Sequence, residues 1–119
     1  MEYACKVLKA VSEPTRIRII KLLSSANIPL CGYEFVEALQ EPHYNLSRHL
    51  KTLKNAGLVK ERKEGKWVYH FLKENKGDFY FFLMKSISSV KDLSGIFGED
   101  YRRLSEILDK KKVKKNLVI

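Results

Sequence analysis

The chain is short of cysteine, of proline and of acidic charge, and it has no long apolar run. Its two cysteines, Cys5 and Cys31, do not make a disulfide framework, so the fold has to stand on a hydrophobic core. No apolar run approaches the ~18 residues that a membrane span needs. The first residues, Met1-Glu2-Tyr3-Ala4-Cys5-Lys6, carry no apolar signal core, so the expectation is a cytoplasmic protein without a membrane partner. There is no glycine-rich phosphate loop, no spaced pair of carboxylates and no nucleophile with a plausible base. An enzyme is therefore not expected.

What is present is positive charge on a globular frame. Over 119 residues, 23 lysines and arginines face 14 aspartates and glutamates, for a net charge of +9. That length suits one domain with a modest core. Residues 1–40 carry five basic and four acidic side chains, residues 41–72 seven and three, and residues 73–119 eleven and seven. The excess begins in the second third of the chain, which points to a polyanionic partner; the plainer alternative is a solubilising surface.

Apolar spacing predicts a run of helices and one hairpin. A first helix over about 2–11 aligns Ala4, Val7, Leu8 and Val11. Ser12 is the expected N-cap of a second helix over about 13–25, with Pro14 in its first turn. Ile17, Ile19, Ile20, Leu22 and Leu23 make that helix central. A third helix is expected over about 31–40, with Phe35, Val36 and Leu39 inward, and Pro42 opens a fourth over about 42–56. Glu74-Asn75-Lys76-Gly77-Asp78 reads as a linker. The run 79–90 is apolar around almost its whole perimeter, so it needs a second cover beside its own core. A last helix is expected over about 99–110, after Gly95 and Gly98, with a frayed basic tail from Lys110 to Lys115.

The fourth helix and the segment after it carry the most information. Leu46, Leu50 and Leu53 recur at i, i+4 and i+7, while Asn45, Arg48, Lys51 and Asn55 fall opposite. Gly57 suits a left-handed C′ position. Two strand-like runs come next, 58–63 and 66–72, joined at Glu64-Gly65, with Arg62, Lys63 and Lys66 near the tip. Helix, short turn and polar-faced helix, then a basic hairpin, form a helix-turn-helix with a wing. That assembly lays a helix in the DNA major groove and touches the flanking backbone. The fold class is thus mainly α with a small β-hairpin, a winged helix-turn-helix whose helices also form a dimer interface. Residues 1–78 make the DNA-binding core and residues 79–119 a helical dimerisation segment with the basic tail.

Three blocks resemble the ArsR-type winged-helix regulators. Leu8-Lys9-Ala10-Val11-Ser12-Glu13-Pro14-Thr15-Arg16-Ile17-Arg18-Ile19-Ile20-Lys21-Leu22-Leu23 is similar to that family's opening signature. Leu46-Ser47-Arg48-His49-Leu50-Lys51-Thr52-Leu53 is similar to its recognition helix, and Ala56-Gly57-Leu58-Val59 with Arg62–Tyr69 to its wing. The likeness spans about residues 5–72. It implies a homodimeric transcriptional repressor that leaves double-stranded DNA when a small effector binds. Many members hold soft metals with Cys-x-Cys at the start of the third helix. Here the segment is Cys31-Gly32-Tyr33, and a phenol is a poor ligand for thiophilic ions. The family's other metal site, histidine and carboxylates on the last long helix, is missing too. No metal cofactor is expected.

The DNA-facing candidates are His43, Tyr44, Asn45, Ser47, Arg48 and Lys51 on the helix, and Arg62, Lys63 and Lys66 on the wing. Arg48 would pair with guanine and Asn45 with adenine, Ser47 and Lys51 would touch phosphate, and the wing cations would meet phosphate or a minor groove. The alternative for each is an ordinary solvated face. His49 lies beside the leucine stripe and is expected to be structural, and Trp67 and Tyr69 to pack within the wing. Val7, Phe79, Phe82, Leu83 and Ile87 are the dimer-interface candidates. Cys31 is read as a small buried hydrophobe on the stripe of Phe35 and Leu39. A thiol effector site pairing Cys31 with Cys5 would need a third donor for a soft metal, and none is evident. A competing function is a winged-helix module that docks a protein instead of specific DNA.

Overall fold

The structure is a computed structural model that describes residues 1–74 and 77–117, the last five of these as backbone only. The expected linker at Asn75-Lys76, and the side chains of the tail beyond Lys112, lie outside the described residues. Among the described residues, six helices and three short strands run in the order α1 (Glu2–Val11), α2 (Pro14–Ala26), β1 (Leu30–Cys31), α3 (Gly32–Leu39), α4 (His43–Asn55), β2 (Val59–Glu64), β3 (Trp67–Leu72), α5 (Asp78–Ser88) and α6 (Ile96–Leu117). The strands form one antiparallel sheet in the order β1-β3-β2.

The core gathers one face from each element. Ile19, Ile20 and Leu23 of α2, Phe35 and Leu39 of α3, and Leu46, Leu50 and Leu53 of α4 are all buried in it. Leu58 and Val59 close it from the wing, and Leu104 closes it from α6. Burying a leucine or isoleucine side chain contributes roughly 1.5–3 kcal/mol, so the leucine stripe anchors α4 and leaves its opposite side free.

Several local expectations are corrected. Glu13, not Ser12, caps α2: its carboxylate accepts the Arg16 backbone N–H at 3.0 Å. Ser12 instead ends α1, and its hydroxyl donates to the Lys9 carbonyl. The hairpin turn is Gly65-Lys66, because Glu64 pairs with Trp67; Gly65 supplies the positive φ of 60° at the first turn position. Cys31 is not inside a helix. It pairs with Tyr69 in the sheet and stands at the N-cap of α3. A two-residue strand has no periodicity to read, so β1 is invisible to pattern analysis. Leu8 points outward although it lies next to the buried Val7, since the stripe that α1 buries is the narrower Val7, Ala10 and Val11.

Gly98 does not delay the last helix. It sits in the first turn of α6, where the Asp92 carboxylate accepts the N–H groups of Phe97 and Gly98 at 3.0 and 2.9 Å. The helix then runs through Leu117, so residues 110–115 are helical and not frayed. It lies along α3 and packs on α2, which sets part of the expected dimerisation segment against the chain's own core. Asp100, 2% exposed, takes two hydrogen bonds from the Arg18 guanidinium at 2.9 and 2.8 Å and one from Arg103 at 3.0 Å. Those arginines also donate to the carbonyls of Leu39 and Ala38, satisfying the last turn of α3.

Candidate nucleic-acid interface

The reading helix α4 is set by its two ends. Pro42 stands at the N-cap, with its fixed φ of −62°. At the other end the Gly57 N–H donates to the Lys54 carbonyl and the Leu58 N–H to the Leu53 carbonyl, both at 3.0 Å. With Gly57 at φ 78°, these bonds make a Schellman stop. Leu58 is fully buried, so the stop also aims the chain directly into β2.

On the outer side of α4, His43, Tyr44, Ser47, Arg48 and Lys51 are exposed, and Asn45 is half-buried. Tyr44 projects most, at 74% exposure. Their mutual contacts are long: Ser47 Oγ to His43 Nδ1 at 3.4 Å, and Arg48 Nη2 donating to Asn45 Oδ1 at 3.5 Å. Bonds this weak yield readily to a partner. Lys51 and Lys63 have no ion pair among the described residues. Arg62 pairs with Glu64 at 2.9 Å, and Lys66 lies over the Trp67 ring at 5.4 Å. The expected DNA-facing residues thus fall on two adjoining solvent faces, the helix and the wing.

Between those faces runs a groove of about 400 Å³, lined by Gly32, His43, Lys51, Lys54, Glu61 and His70 among others. Lys54 on α4 holds Glu61 on β2 at 2.6 Å and fixes the wing to the helix. That hydrogen bond keeps the Glu61 carboxyl below its ordinary pKa. Burial pushes the His70 pKa down, and its ring meets Phe35 edge-to-face at 5.9 Å. Sequence reasoning missed Lys54, Glu61 and His70. Lys54 stands three residues after Lys51 on the same face and was legible on that ground, whereas the other two are brought in by strand register.

His49 is 8% exposed, and its Nδ1 accepts the Arg16 Nε–H at 3.1 Å, which makes it a joint between α2 and α4. Glu34, 2% exposed, has no signal of burial in the sequence. Its carboxylate accepts the Cys31 backbone N–H at 2.9 Å and the Lys111 ammonium at 2.7 Å.

The two thiols do not share an environment. Cys31 is buried while Cys5 is exposed on α1. Burial raises the Cys31 thiol pKa, which disfavours the thiolate that a metal needs. Tyr33, where the second thiol of Cys-x-Cys would stand, is turned to solvent.

The dimer candidates divide. Val7 and Ile87 are enclosed within the single chain, 0% and 6% exposed, and so offer no surface to a partner. Phe79 and Phe82 are exposed, and Leu83 is half-buried against the core. Tyr3 of α1 meets Phe79 of α5 edge-to-face at 6.2 Å, and both rings are exposed.

Comparison with known proteins agrees with this geometry. Residues 13–61 match the bacterial regulatory protein, arsR family. An uncharacterized HTH-type transcriptional regulator of Methanocaldococcus jannaschii is 39% identical over 75 residues, 63% of this chain and 83% of that protein. A cadmium resistance transcriptional regulatory protein CadC homolog of Staphylococcus aureus is 42% identical over 67 residues, 56% of this chain and 54% of that protein. The chain therefore spans only about half the length of that relative. The crystal structure of the transcriptional regulator HlyU from Vibrio vulnificus superposes with a TM-score of 0.59 at 33% identity, covering 73% of this chain and 85% of that one. No helix among the described residues is long and apolar enough to cross a membrane. The chain belongs to the ArsR family of winged helix-turn-helix transcriptional regulators, DNA-binding proteins and not enzymes.

Proposed function

We propose that the chain is a homodimeric repressor that reads a pseudo-palindromic site with α4 and grips the flanking backbone with the wing. The observation that carries this reading is the solvent face of α4, where Asn45, Ser47, Arg48 and Lys51 stand opposite a buried leucine stripe. Arg48 reads guanine and Asn45 adenine; Ser47, Lys51, Arg62, Lys63 and Lys66 hold phosphates. Two copies joined through the Tyr3, Phe79 and Phe82 surface would set two reading helices about one helical turn of DNA apart.

Release from the operator is by a small effector, and it does not pass through a metal. A buried Cys31, an exposed Cys5 and a phenol in place of the second thiol support that exclusion. The regulator acts in the cytoplasm, where its thiols stay reduced.

Sedimentation with and without duplex DNA from upstream of its own gene tests the assembly. Two protomers on one saturable site are expected, and Phe82→Glu should give a monomer that loses most of its affinity. A monomeric wild type that ignores that DNA in the presence of random competitor would favour a protein-docking module.

A further inference from the structure

We propose that α6 supplies a third DNA-contacting element, with Lys110 and Lys112 holding phosphates that flank those gripped by α4 and the wing; this rests on the DNA reading above. The helix runs antiparallel to α3. Asp100 and Arg103 sit at the last-turn carbonyls of α3, whereas Lys111 reaches its first turn through Glu34 at 2.7 Å. The lysines therefore emerge at the start of α3, where Gly32 adjoins the reading helix: a Cβ placed on Gly32 would meet His43 Nε2 at 3.4 Å. Lys111 also lies within electrostatic reach of Cys31 and of Tyr69 in the wing strand β3. Lys111 thus stands near the start of α3 and the wing strand, with Lys110 and Lys112 on either side of it along α6.

The charge along α6 is segregated in the same sense. Its first half spends its cations internally: Arg102 pairs with Glu99 and Glu106, and Arg103 with Asp100. Lys111 is the anchor, and the Glu34 carboxylate that it meets is itself fixed to the Cys31 N–H. Lys110 and Lys112 flank the anchor, are exposed, and have no acidic partner among the described residues. Both precede Leu117 by more than one turn, beyond the reach of the helix dipole, so stabilising the helix end does not account for them. The residues matched to the family, 13–61, do not include α6.

The test is a salt titration of the full chain on a random-sequence duplex, where phosphate contacts alone are read. Lys110→Ala/Lys112→Ala should lower the slope of log K against log salt by about 0.9 for each phosphate that is no longer neutralised. Its Tm should stay at the wild-type value, and it should weaken binding to any sequence alike. An unchanged slope, beside a reduced one for Lys66→Ala, overturns the α6 contact and leaves the wing contact standing. A reduced slope that comes only with a fall in helix content overturns it as well, by making the lysines structural. A wild type with no salt-dependent binding overturns the DNA reading and this proposal together.

Discussion

Two sets of cations in this chain are used in opposite ways. At the junction of α2, α3 and α6, Arg18 and Arg103 converge on the buried Asp100 and fill their remaining donors with backbone carbonyls. On α4 and the wing, Arg48, Lys51 and Lys63 face solvent with one weak contact or none among the described residues. A fully satisfied guanidinium builds structure, whereas one whose donors are loosely held is available to a ligand. Net charge alone does not separate the two; partner and burial do.

The sharpest break in this contrast is Asp100→Ala. Removing the shared carboxylate leaves Arg18 beside only the Leu39 carbonyl and Glu41 at 3.6 Å. A loss of about 3–5 kcal/mol of stability is expected in urea unfolding. A cost below about 1 kcal/mol, the value of an exposed pair, would mean that the junction is not structural.

Next in size is Arg48→Ala, which should leave Tm unchanged while reducing discrimination between operator and random DNA by about 1–3 kcal/mol. Equal losses on both DNAs would reassign Arg48 to phosphate. Gly57→Ala comes third. Nothing lies within 4 Å of the added Cβ, so its cost is the left-handed backbone alone. That cost is roughly 1–2 kcal/mol, read by thermal melt. A neutral result would show that the stop between α4 and β2 relaxes freely.

The smallest effect is a pH dependence. Burial holds the His70 pKa below its ordinary value, so the unfolded chain binds the proton more readily. Stability should therefore decline as pH falls through about 6.5, the ordinary histidine value, toward the lowered folded one. A matching decline in His70→Gln would place its origin elsewhere.

The reading helix and wing were legible in the sequence because their signals are local. A leucine stripe at helical spacing, a glycine stop and a two-residue turn each act within a few residues. The candidate DNA residues were legible for the same reason, since the buried stripe names the opposite face. Long-range placements were not. Leu8 and Val7 are equally apolar neighbours, yet only packing against α2 and α4 decides that Val7 goes inside. Ile87 looked like a dimer contact until α2 covered it. Nothing in the local pattern marks Asp100 and Glu34 for burial. Their burial depends on Arg18 and Lys111, which stand 82 and 77 positions away. The two-residue β1 took its existence wholly from β3.

The most direct test of the central claim, that α4 reads sequence while the wing supplies affinity, is one competition titration. Labelled DNA from upstream of the chain's own gene is titrated with wild type, Arg48→Ala and Lys66→Ala against random duplex. Arg48→Ala is expected to narrow the gap between the two DNAs, whereas Lys66→Ala should weaken both alike and lower the salt slope by about one. Wild-type binding no tighter to the upstream DNA than to the random duplex, with both variants losing affinity equally, would contradict the claim.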